Sequence, residues 1–320
     1  MATKETLLTL LQEAPGVYRS GQELARILGV SRAAVNKAVK TLRSQGCHID
    51  AVTNKGYALL EDSDIFHGEA VMALLPGKDW NIQYFPSLPS TNSFLKELAS
   101  QGAPEGTVIA AGTQTAGRGR MGRSFYSPRD SGLYLSLLLR PQDLSASESL
   151  QITTMAASAL CLAIEHVTGK APQIKWVNDL FLDGRKICGI LTEASLSMET
   201  GRIDYAVLGL GLNLYAPPEG FPEELKDIAG ALCEDRQPEL KNRLTAEFLK
   251  QFSLFYQEKN FQAAADCYRS RSMLTGKTVM VGNLKALVLD VNSRCQLMVR
   301  FENGKEQALS YGEVSIVNYK

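Results

Sequence analysis

Short apolar stripes separated by polar turns run through the first sixty residues, and their spacing predicts three helices followed by a hairpin. Gly29 is a typical residue just after a helix end, and Ser31 is a typical helix N-cap. The predicted elements are helices over 4–13, 22–28 and 32–43 and strands over 49–52 and 57–60, joined by a turn over 53–56. This order predicts a winged helix-turn-helix domain over residues 1–62.

The third predicted helix is basic, and no acidic residue occurs between Leu24 and Ile49. In a winged helix, the recognition helix enters the major groove while the wing and basic side chains hold phosphates. We therefore expect DNA binding, although the same fold also serves protein contacts. The candidate DNA-binding residues are Ser31, Arg32, Asn36, Lys37, Lys40 and Lys55.

Beyond a polar break at residues 61–64, the pattern changes to short β-type runs alternating with helices. The clearest predicted strands are 107–111, 133–139, 173–177 and 206–210, and the clearest helices are 147–168 and 240–259. This predicts an α+β protein with a central mixed α/β domain over 63–272. The tail, 273–320, alternates as five short strands with Gly-rich turns and predicts an SH3-like β-barrel.

Composition is ordinary for a globular protein: 320 residues, 45% hydrophobic and 21% charged, with a formal net charge of zero. Any nucleic-acid contact must therefore come from a local basic patch. The six cysteines are scattered without a CxxC pair, which favours reduced thiols over a zinc site or a disulfide framework. We see no signal peptide and no apolar run of membrane-spanning length, so we expect a cytoplasmic protein.

A Gly-Arg loop, defined as residues 117–123 (Gly-Arg-Gly-Arg-Met-Gly-Arg), is the most distinctive segment. Its arginines suit phosphate or carboxylate oxygens, and no acidic residue lies between Glu105 and Asp130. An anion site is the favoured interpretation, with a solvated basic loop as the alternative. The spacing also matches a dinucleotide fingerprint, but a turn-rich stretch follows where that motif needs a helix. No P-loop motif occurs in the chain.

Three further segments are candidates for ligand contact. Ser90-Thr91-Asn92 either caps a helix or presents hydroxyls and an amide to a small ligand. Asp183-Gly184 predicts a hairpin turn that puts Lys186 on the returning strand, as either an anion ligand or a surface lysine. The run 209–213 (Gly-Leu-Gly-Leu-Asn) either lines a pocket or marks a bulge. We interpret Cys188 as a core residue.

Taken together, these segments resemble the biotin–protein ligases, and with the winged helix in front they resemble the bifunctional class that also represses the biotin operon. The resemblance covers essentially the whole chain. The motifs that carry it are Ser90-Thr91-Asn92, Gln114 with 116–123, Lys175-Trp176-x-Asn178-Asp179, Arg185-Lys186-x-x-Gly189-Ile190 and Gly209-x-Gly211-x-Asn213.

The resemblance implies ATP-dependent condensation of biotin to biotinyl-5′-AMP, followed by transfer to a lysine of biotin carboxyl carrier protein. It implies Mg²⁺ with ATP, and biotinyl-5′-AMP as corepressor. Catalytic roles fall on Lys186, Arg118 and Arg120. Biotin contacts fall on Ser90, Thr91, Asn92, Gln114, Arg118, Gly119, Arg120, Trp176, Lys186, Gly189, Gly209 and Gly211. Contacts to ATP or the adenylate fall on Arg118, Arg120, Arg123, Lys175, Asn178, Asp179, Lys186 and Asn213. No metal ligand is assignable.

The resemblance also implies partners: the carrier protein, operator DNA and a homodimer induced by biotinyl-5′-AMP, with no membrane contact. Met121 stands where family members often carry another arginine, and one fewer positive charge would weaken retention of the adenylate.

Two alternative functions remain. One is a transcription factor that only senses a small ligand, which would not need the phosphate-binding residues. The other is a lipoate or octanoate transferase, which lacks support because no His-containing glycine loop is present.

Overall fold

The computed structural model describes residues 3–44, 47, 49–60, 64–75, 77, 80–141, 144, 149–197 and 202–317. Most of the predicted polar break, the start of the predicted helix 147–168 and the end of the last predicted strand lie outside these residues. Two compact units are present. One comprises Met1–His67 with Asp235–Asn242, and the other comprises Gly68–Glu234 with Arg243–Lys320.

The first unit contains the predicted three helices and hairpin. Its elements are α1 (Thr3–Gln12), α2 (Gly21–Leu28), α3 (Arg32–Ser44), β1 (Ile49–Val52) and β2 (Gly56–Leu59). Ser20 caps α2, and Gly29 ends it in the left-handed conformation with φ 66°. At the end of the wing turn, a Cβ on Gly56 would lie 2.1 Å from the Arg19 carbonyl oxygen, so glycine is required there.

Residues 235–242 join this unit through polar contacts with the segment after the wing. Asp64 is 3% exposed, and its carboxylate accepts from the backbone N–H of Lys241 at 2.8 Å. The Asn242 side chain donates to the Ile65 carbonyl at 2.9 Å and accepts from the His67 backbone N–H, also at 2.9 Å. No local sequence pattern predicted these long-range contacts.

The second unit contains a seven-stranded sheet in the order β3-β4-β5-β9-β8-β7-β6. All neighbouring pairs are antiparallel except β3 with β4. The strands are β3 (Asn81–Phe85), β4 (Thr107–Ala111), β5 (Gly132–Leu139), β6 (Gln173–Lys175), β7 (Asp179–Leu182), β8 (Arg185–Leu196) and β9 (Ile203–Asn213). The helices are α4 (Gly68–Ala73), α5 (Thr91–Ser100), α6 (Ser149–Thr168), α7 (Leu240–Tyr256) and α8 (Phe261–Ser270).

The register of the three central strands brings the predicted glycines together. Gly211 of β9 lies opposite both Tyr134 of β5 and Gly189 of β8. Gly209, one pleat away on the same face, lies opposite Ser136 and Leu191. Residues 209–213 therefore continue a regular strand, and the predicted alternative of a bulge at this position is wrong.

The tail forms a five-stranded antiparallel sheet in the order β13-β12-β11-β10-β14. Its strands are β10 (Thr278–Val281), β11 (Leu284–Val291), β12 (Leu297–Phe301), β13 (Glu306–Leu309) and β14 (Val314–Ile316). Pairing among the described residues leaves β13 and β14 as the two edges, so the predicted strands are confirmed while barrel closure is not observed.

Helix α6 corrects one expectation drawn from the sequence. It is 20 residues long and apolar enough, by length and composition, to cross a membrane. However, 67% of its apolar window is buried inside the protein. Its buried face packs on α8 and on strands of the central sheet, so α6 is a core helix.

Candidate functional site

A cavity of about 110 Å³ opens above the glycines of the central sheet, and most of the predicted ligand-binding residues line it. It is bordered by the N-terminus of α5, the Gly-Arg loop and the β7–β8 hairpin. The predicted residues that line it are Ser90, Thr91, Asn92, Gln114, Arg118, Gly119, Arg120, Arg123, Asn178, Asp179, Lys186, Gly189, Gly209 and Gly211. The tertiary structure therefore collects predicted residues from Ser90 to Gly211, up to 121 positions apart in the chain.

Four polar side chains form a closed cluster on one wall: Thr91, Asn92, Gln114 and Ser136. The Gln114 amide oxygen accepts from the Thr91 backbone N–H at 2.9 Å and lies 3.1 Å from the Thr91 hydroxyl. The Ser136 hydroxyl is fully buried, 2.8 Å from Thr91 Oγ1 and 2.6 Å from Asn92 Oδ1. These contacts fix the wall before any ligand binds.

Ser90 fills the predicted capping role, and its predicted ligand contact stays a prediction. Its hydroxyl accepts from the Ser93 backbone N–H as the N-cap of α5, and the residue lines the cavity. Because Ser90 to Asn92 form the first turn of the helix, their side chains and the positive end of the helix dipole lie at the same edge of the cavity.

The glycines of the central strands make room for a phenyl ring and an amide. A Cβ on Gly211 would lie 2.5 Å from the Phe125 ring, and one on Gly209 would lie 2.1 Å from Asn92 Oδ1. Both distances are far inside van der Waals contact. Phe125 also packs edge-to-face on Tyr134, with centroids 6.5 Å apart. The cavity thus has an apolar floor that the glycine pattern alone did not reveal.

The three glycines of the Gly-Arg loop serve different purposes. Gly122 takes φ +75°, beside Met121 at φ 54°. Gly119 is extended with φ −114°, a conformation open to any residue. Gly117 is needed for space, because a Cβ there would lie 2.3 Å from the Phe125 carbonyl oxygen. Met121 itself is 74% exposed and does not line the cavity.

The arginines of this loop do have acidic and amide partners, which come from distant strands. Arg118 lies 3.3 Å from Glu193 of β8, and Arg123 lies 2.7 Å from Glu313, just before β14. Arg120 donates to the Asn178 side-chain oxygen at 2.9 Å. The loop has no acidic neighbour along the sequence, and the fold brings Glu193 and Glu313 to it in three dimensions.

Glu193 is the best-supported of these acids. Burial by itself would raise the pKa of Glu193, but hydrogen bonds from Asn92 and Lys96, with the charges of Lys96 and Arg118, lower that pKa below its ordinary value. Asn92 donates to it at 3.0 Å, and Lys96 donates at 3.0 Å. Glu193 therefore stays ionised at neutral pH and ties the Gly-Arg loop to the wall of the cavity.

Lys186 lies where the hairpin was predicted to put it. Asp183 and Gly184 both take positive φ, 49° and 75°, as the predicted tight turn requires. The Lys186 ammonium lines the cavity, half-buried, with its nitrogen 2.7 Å from a carboxylate oxygen of Asp179.

Burial raises the pKa of the fully buried Cys188 thiol, so this thiol is not a nucleophile.

Three predicted site residues lie outside the cavity. Trp176 is buried, and its indole N–H donates to the Cys295 carbonyl at 3.0 Å. The Lys175 ammonium lies 5.7 Å from the centre of the Phe181 ring. Asn213 donates to the Gly230 carbonyl at 3.1 Å. Conversely, sequence reasoning missed the lining residues Ser124, Phe125, Ile190, Leu191, Leu210 and Glu313. Of these, Ile190 and Leu210 stood inside the quoted motifs without an assigned role, and Phe125 is an apolar residue directly after the loop.

The predicted DNA-binding side chains are all exposed on the first unit. Arg32, Asn36, Lys37 and Lys40 are exposed on α3, and Lys55 is exposed at the tip of the wing. Asn36 donates to the Tyr57 hydroxyl at 3.0 Å, which couples the helix to the wing. Ser31 is also exposed, and its hydroxyl accepts from the Ala34 backbone N–H as the cap of α3.

Comparison with known proteins agrees with this organisation. Residues 84–213 match the Biotin/lipoate A/B protein ligase family, and residues 3–58 match a helix-turn-helix (HTH) domain. The chain is 38% identical over 237 residues to the bifunctional ligase/repressor BirA of Bacillus subtilis, covering 72% of this chain and 71% of that protein. It is 34% identical over 208 residues to BirA of Escherichia coli, covering 65% of this chain and 62% of that protein.

A solved structure gives the same result at the level of the fold. The biotin protein ligase from Aquifex aeolicus, in complex with biotin and ATP, matches with a TM-score of 0.61 at 27% identity, covering 74% of this chain and 98% of that one. The chain therefore belongs to the family of bifunctional biotin–protein ligases and repressors.

Proposed function

We propose that this protein is a biotin–protein ligase that forms biotinyl-5′-AMP from biotin and ATP and transfers biotin to a lysine of a carrier protein. The observation that carries the proposal is the convergence of four cations on one cavity with an apolar floor. The cavity is lined by Arg118, Arg120, Arg123 and Lys186, together with Phe125. Such a site suits a molecule with an apolar body and an anionic end.

The first step brings a carboxylate against the α-phosphate of ATP, so cationic charge is needed where the two negative groups meet. The carboxylate oxygen attacks the α-phosphorus, and the bond to the bridging oxygen of diphosphate breaks. Lys186 lines the cavity and would hold both reacting groups by exchanging its contact with Asp179 for substrate oxygens. Arg118 and Arg120 neutralise the remaining phosphate charge.

The second step transfers the acyl group. An uncharged lysine amine of the carrier attacks the acyl carbon of the mixed anhydride, and AMP leaves with the bridging oxygen. The cluster of Thr91, Asn92, Gln114 and Ser136 would orient the polar head of biotin during both steps, because these side chains are already held by mutual hydrogen bonds. Asn178 and Asp179 also line the cavity and would contact the nucleotide.

Mg²⁺ would enter with ATP. The part of the chain that the structure describes contains no cluster of three or more His, Cys, Asp or Glu side chains suited to a metal. A magnesium ion bound mainly by phosphate oxygens and water fits such a site. Its contribution would be to neutralise phosphate charge at the reacting centre.

The same chain would act as a biotin-responsive repressor. The basic exposed face of α3 and the wing fit the major groove and its flanking phosphates. Binding of two half-sites requires a homodimer, and biotinyl-5′-AMP would promote it by ordering the Gly-Arg loop. We place this repressor activity in the cytoplasm.

The tail sheet is a four-stranded meander whose fifth strand pairs with the first, which is the strand order of an SH3-like barrel. We propose that this sheet contacts ATP and the carrier protein.

Incubation with biotin, MgATP and a biotin carboxyl carrier domain tests the ligase. We expect one labelled carrier lysine, and biotinyl-5′-AMP should accumulate when the carrier is left out. Absence of both products from folded protein would refute the proposal. For the repressor, DNA containing the operator region should be bound more tightly with biotin and ATP than without. Equal binding in both conditions would refute corepression.

A further inference from the structure

The first two turns of α3 present two neutral side chains between two cations. Arg32, Ala33, Asn36 and Lys37 are all exposed. Because an α-helix has 3.6 residues per turn, Arg32 and Lys37 lie at the margins of the exposed arc, and Ala33 and Asn36 lie between them. The N-terminal part of a recognition helix contacts base edges, whereas cations hold phosphates. This arrangement fits an approach in which the neutral pair faces the bases and each cation faces a flanking phosphate strand.

The wing holds the side-chain amide of Asn36 in one orientation. Its Nδ2 donates to the Tyr57 hydroxyl oxygen at 3.0 Å. This is the only hydrogen bond of that amide among the residues that the structure describes. A primary amide has two N–H donors on its nitrogen and an acceptor oxygen. One N–H and the Oδ1 of Asn36 therefore remain available to a ligand.

Tyr57, which holds this amide, is itself fixed by its neighbours. It lies opposite Ala51 of β1 in the hairpin. On its other edge, its backbone N–H and carbonyl exchange two hydrogen bonds with the backbone of Arg19, both of 2.9 Å. Its ring packs against the hydrophobic core of the first unit. The hydroxyl is thus preorganised, which lowers the entropic cost of ordering Asn36 on binding.

The free groups of Asn36 match one base edge in the major groove. Adenine presents the N7 acceptor beside the N6 amino donor, which pairs with a free N–H and a free amide oxygen. Guanine presents two acceptors, cytosine an amino donor, and thymine an acceptor with a methyl group. Only adenine can therefore satisfy both free groups of the amide. The short side chain of Ala33 allows the helix to approach the bases closely.

We infer that Asn36 reads one adenine in each operator half-site, with Nδ2 donating to N7 and Oδ1 accepting from the N6 amino group. Tyr57 is a positioning residue that acts through Asn36. The inference rests on the proposed repressor function and assigns the residue that gives the repressor sequence selectivity. A bidentate contact of this kind favours its base over the others about 5- to 150-fold.

Selection of bound molecules from a pool of random-sequence DNA duplexes, with biotin and MgATP present, tests this assignment. We expect the unaltered protein to enrich an A·T pair at one position of each half-site. Asn36→Ala should lose the preference at that position and keep the preferences at the other positions. Gln101→Ala, which removes an exposed amide of the second unit, is the matched control and should keep the full profile. Thermal unfolding checks that the variants are folded.

Two results of the selection would overturn the assignment while leaving the repressor in place. One is an enriched profile that is the same with and without Asn36. The other is a profile in which Asn36→Ala changes the preference for a pair other than A·T. If the unaltered protein enriches no sequence at all, the repressor proposal itself is refuted, and the inference falls with it.

The atoms of the contact are tested on the enriched duplex. Replacing the selected adenine with 7-deazaadenine removes the N7 acceptor and should weaken binding of the unaltered protein about 2- to 10-fold, the effect of one hydrogen bond. The same replacement should leave binding of Asn36→Ala nearly unchanged. Equal losses for the two proteins would refute the contact with N7.

The role of Tyr57 is tested with a double-mutant cycle on the same duplex. Tyr57→Phe keeps the ring and removes the hydroxyl, and it should weaken binding by up to about tenfold. Adding Tyr57→Phe to Asn36→Ala should cause no further loss, because the hydroxyl acts through the amide. A full further loss in the double variant would refute the positioning role.

Discussion

Removal of the Lys186 ammonium is the most direct test of how the cavity would promote adenylate formation. The nitrogen lies 2.7 Å from Asp179 and lines the cavity beside Arg118 and Arg120, with 30% of the side chain exposed. A unit charge about 4 Å from a developing negative charge contributes about 4 kcal/mol at an effective dielectric constant near 20. Partial solvent screening reduces this value, and we expect a loss of roughly 2.7 kcal/mol, or about 100-fold in rate.

The assay measures biotinyl-5′-AMP formed in single turnover without carrier protein. Lys186→Ala and Lys186→Met should both lose about 100-fold, because methionine keeps the aliphatic stem and removes only the charge. Lys250→Ala is the control, since Lys250 is an exposed lysine of α7 that pairs with Glu247 and does not line the cavity. Biotin affinity, measured separately by calorimetry, should fall less than the rate, because the charge stabilises the reacting centre more than the bound substrate.

If both folded Lys186 variants form the adenylate within about threefold of the unaltered protein, the electrostatic argument is wrong. Thermal unfolding checks that the variants are folded. A loss confined to Lys186→Ala and absent from Lys186→Met would also contradict it, because the aliphatic stem and not the charge would then be responsible.

Three further predictions concern the supports of the site and the DNA-binding face. The pKa of Glu193 is lowered in the folded protein, so the ionised Glu193 carboxylate contributes its full stabilisation at neutral pH and loses it as the pH falls from about 4.5 through the folded pKa. The difference in Tm between the unaltered protein and Glu193→Gln should therefore close on acidification. A Tm difference that does not change with pH would contradict this prediction. Gly211→Ala should destabilise the protein by about 1–3 kcal/mol and weaken biotin binding, because its Cβ would lie 2.5 Å from a phenyl ring. Gly21→Ala, with its nearest contact at an ordinary 3.4 Å, should be neutral in the same denaturant titration. Replacing Lys37 and Lys40 with alanine should lower the salt dependence of operator binding by up to about 1.8 in log–log slope without changing adenylate formation, and an unchanged slope would remove both from the interface.

Much of the candidate site was present in local sequence patterns. The run of arginines and glycines, the hairpin turn before Lys186 and the capping serine each carry a local physical requirement. Each of these requirements depends on only a few neighbouring residues, so the local structure can be predicted without knowledge of the rest of the fold. The helices and strands of the first unit were predicted within a few residues for the same reason, since apolar periodicity and capping fix them locally.

Partners distant in the chain were beyond sequence reasoning. Nothing near the Gly-Arg loop indicates that Glu193 and Glu313 would face its arginines. The motif containing Trp176 suggested a ligand contact, whereas packing turns this indole away from the cavity toward the Cys295 carbonyl. The direction of a side chain at such a position depends on which strands lie beside it, and only the complete tertiary fold determines those neighbours.

By itself, the sequence determined which segments form helices, strands and tight turns, and which of them carry the cationic and amide groups of the site. Those choices depend on backbone conformation and residue type within one or two turns. The tertiary structure decided the acidic partners of the arginines and the phenyl floor under the glycines. Each of these depends on strand register and on contacts between residues far apart in the chain, which no local pattern specifies.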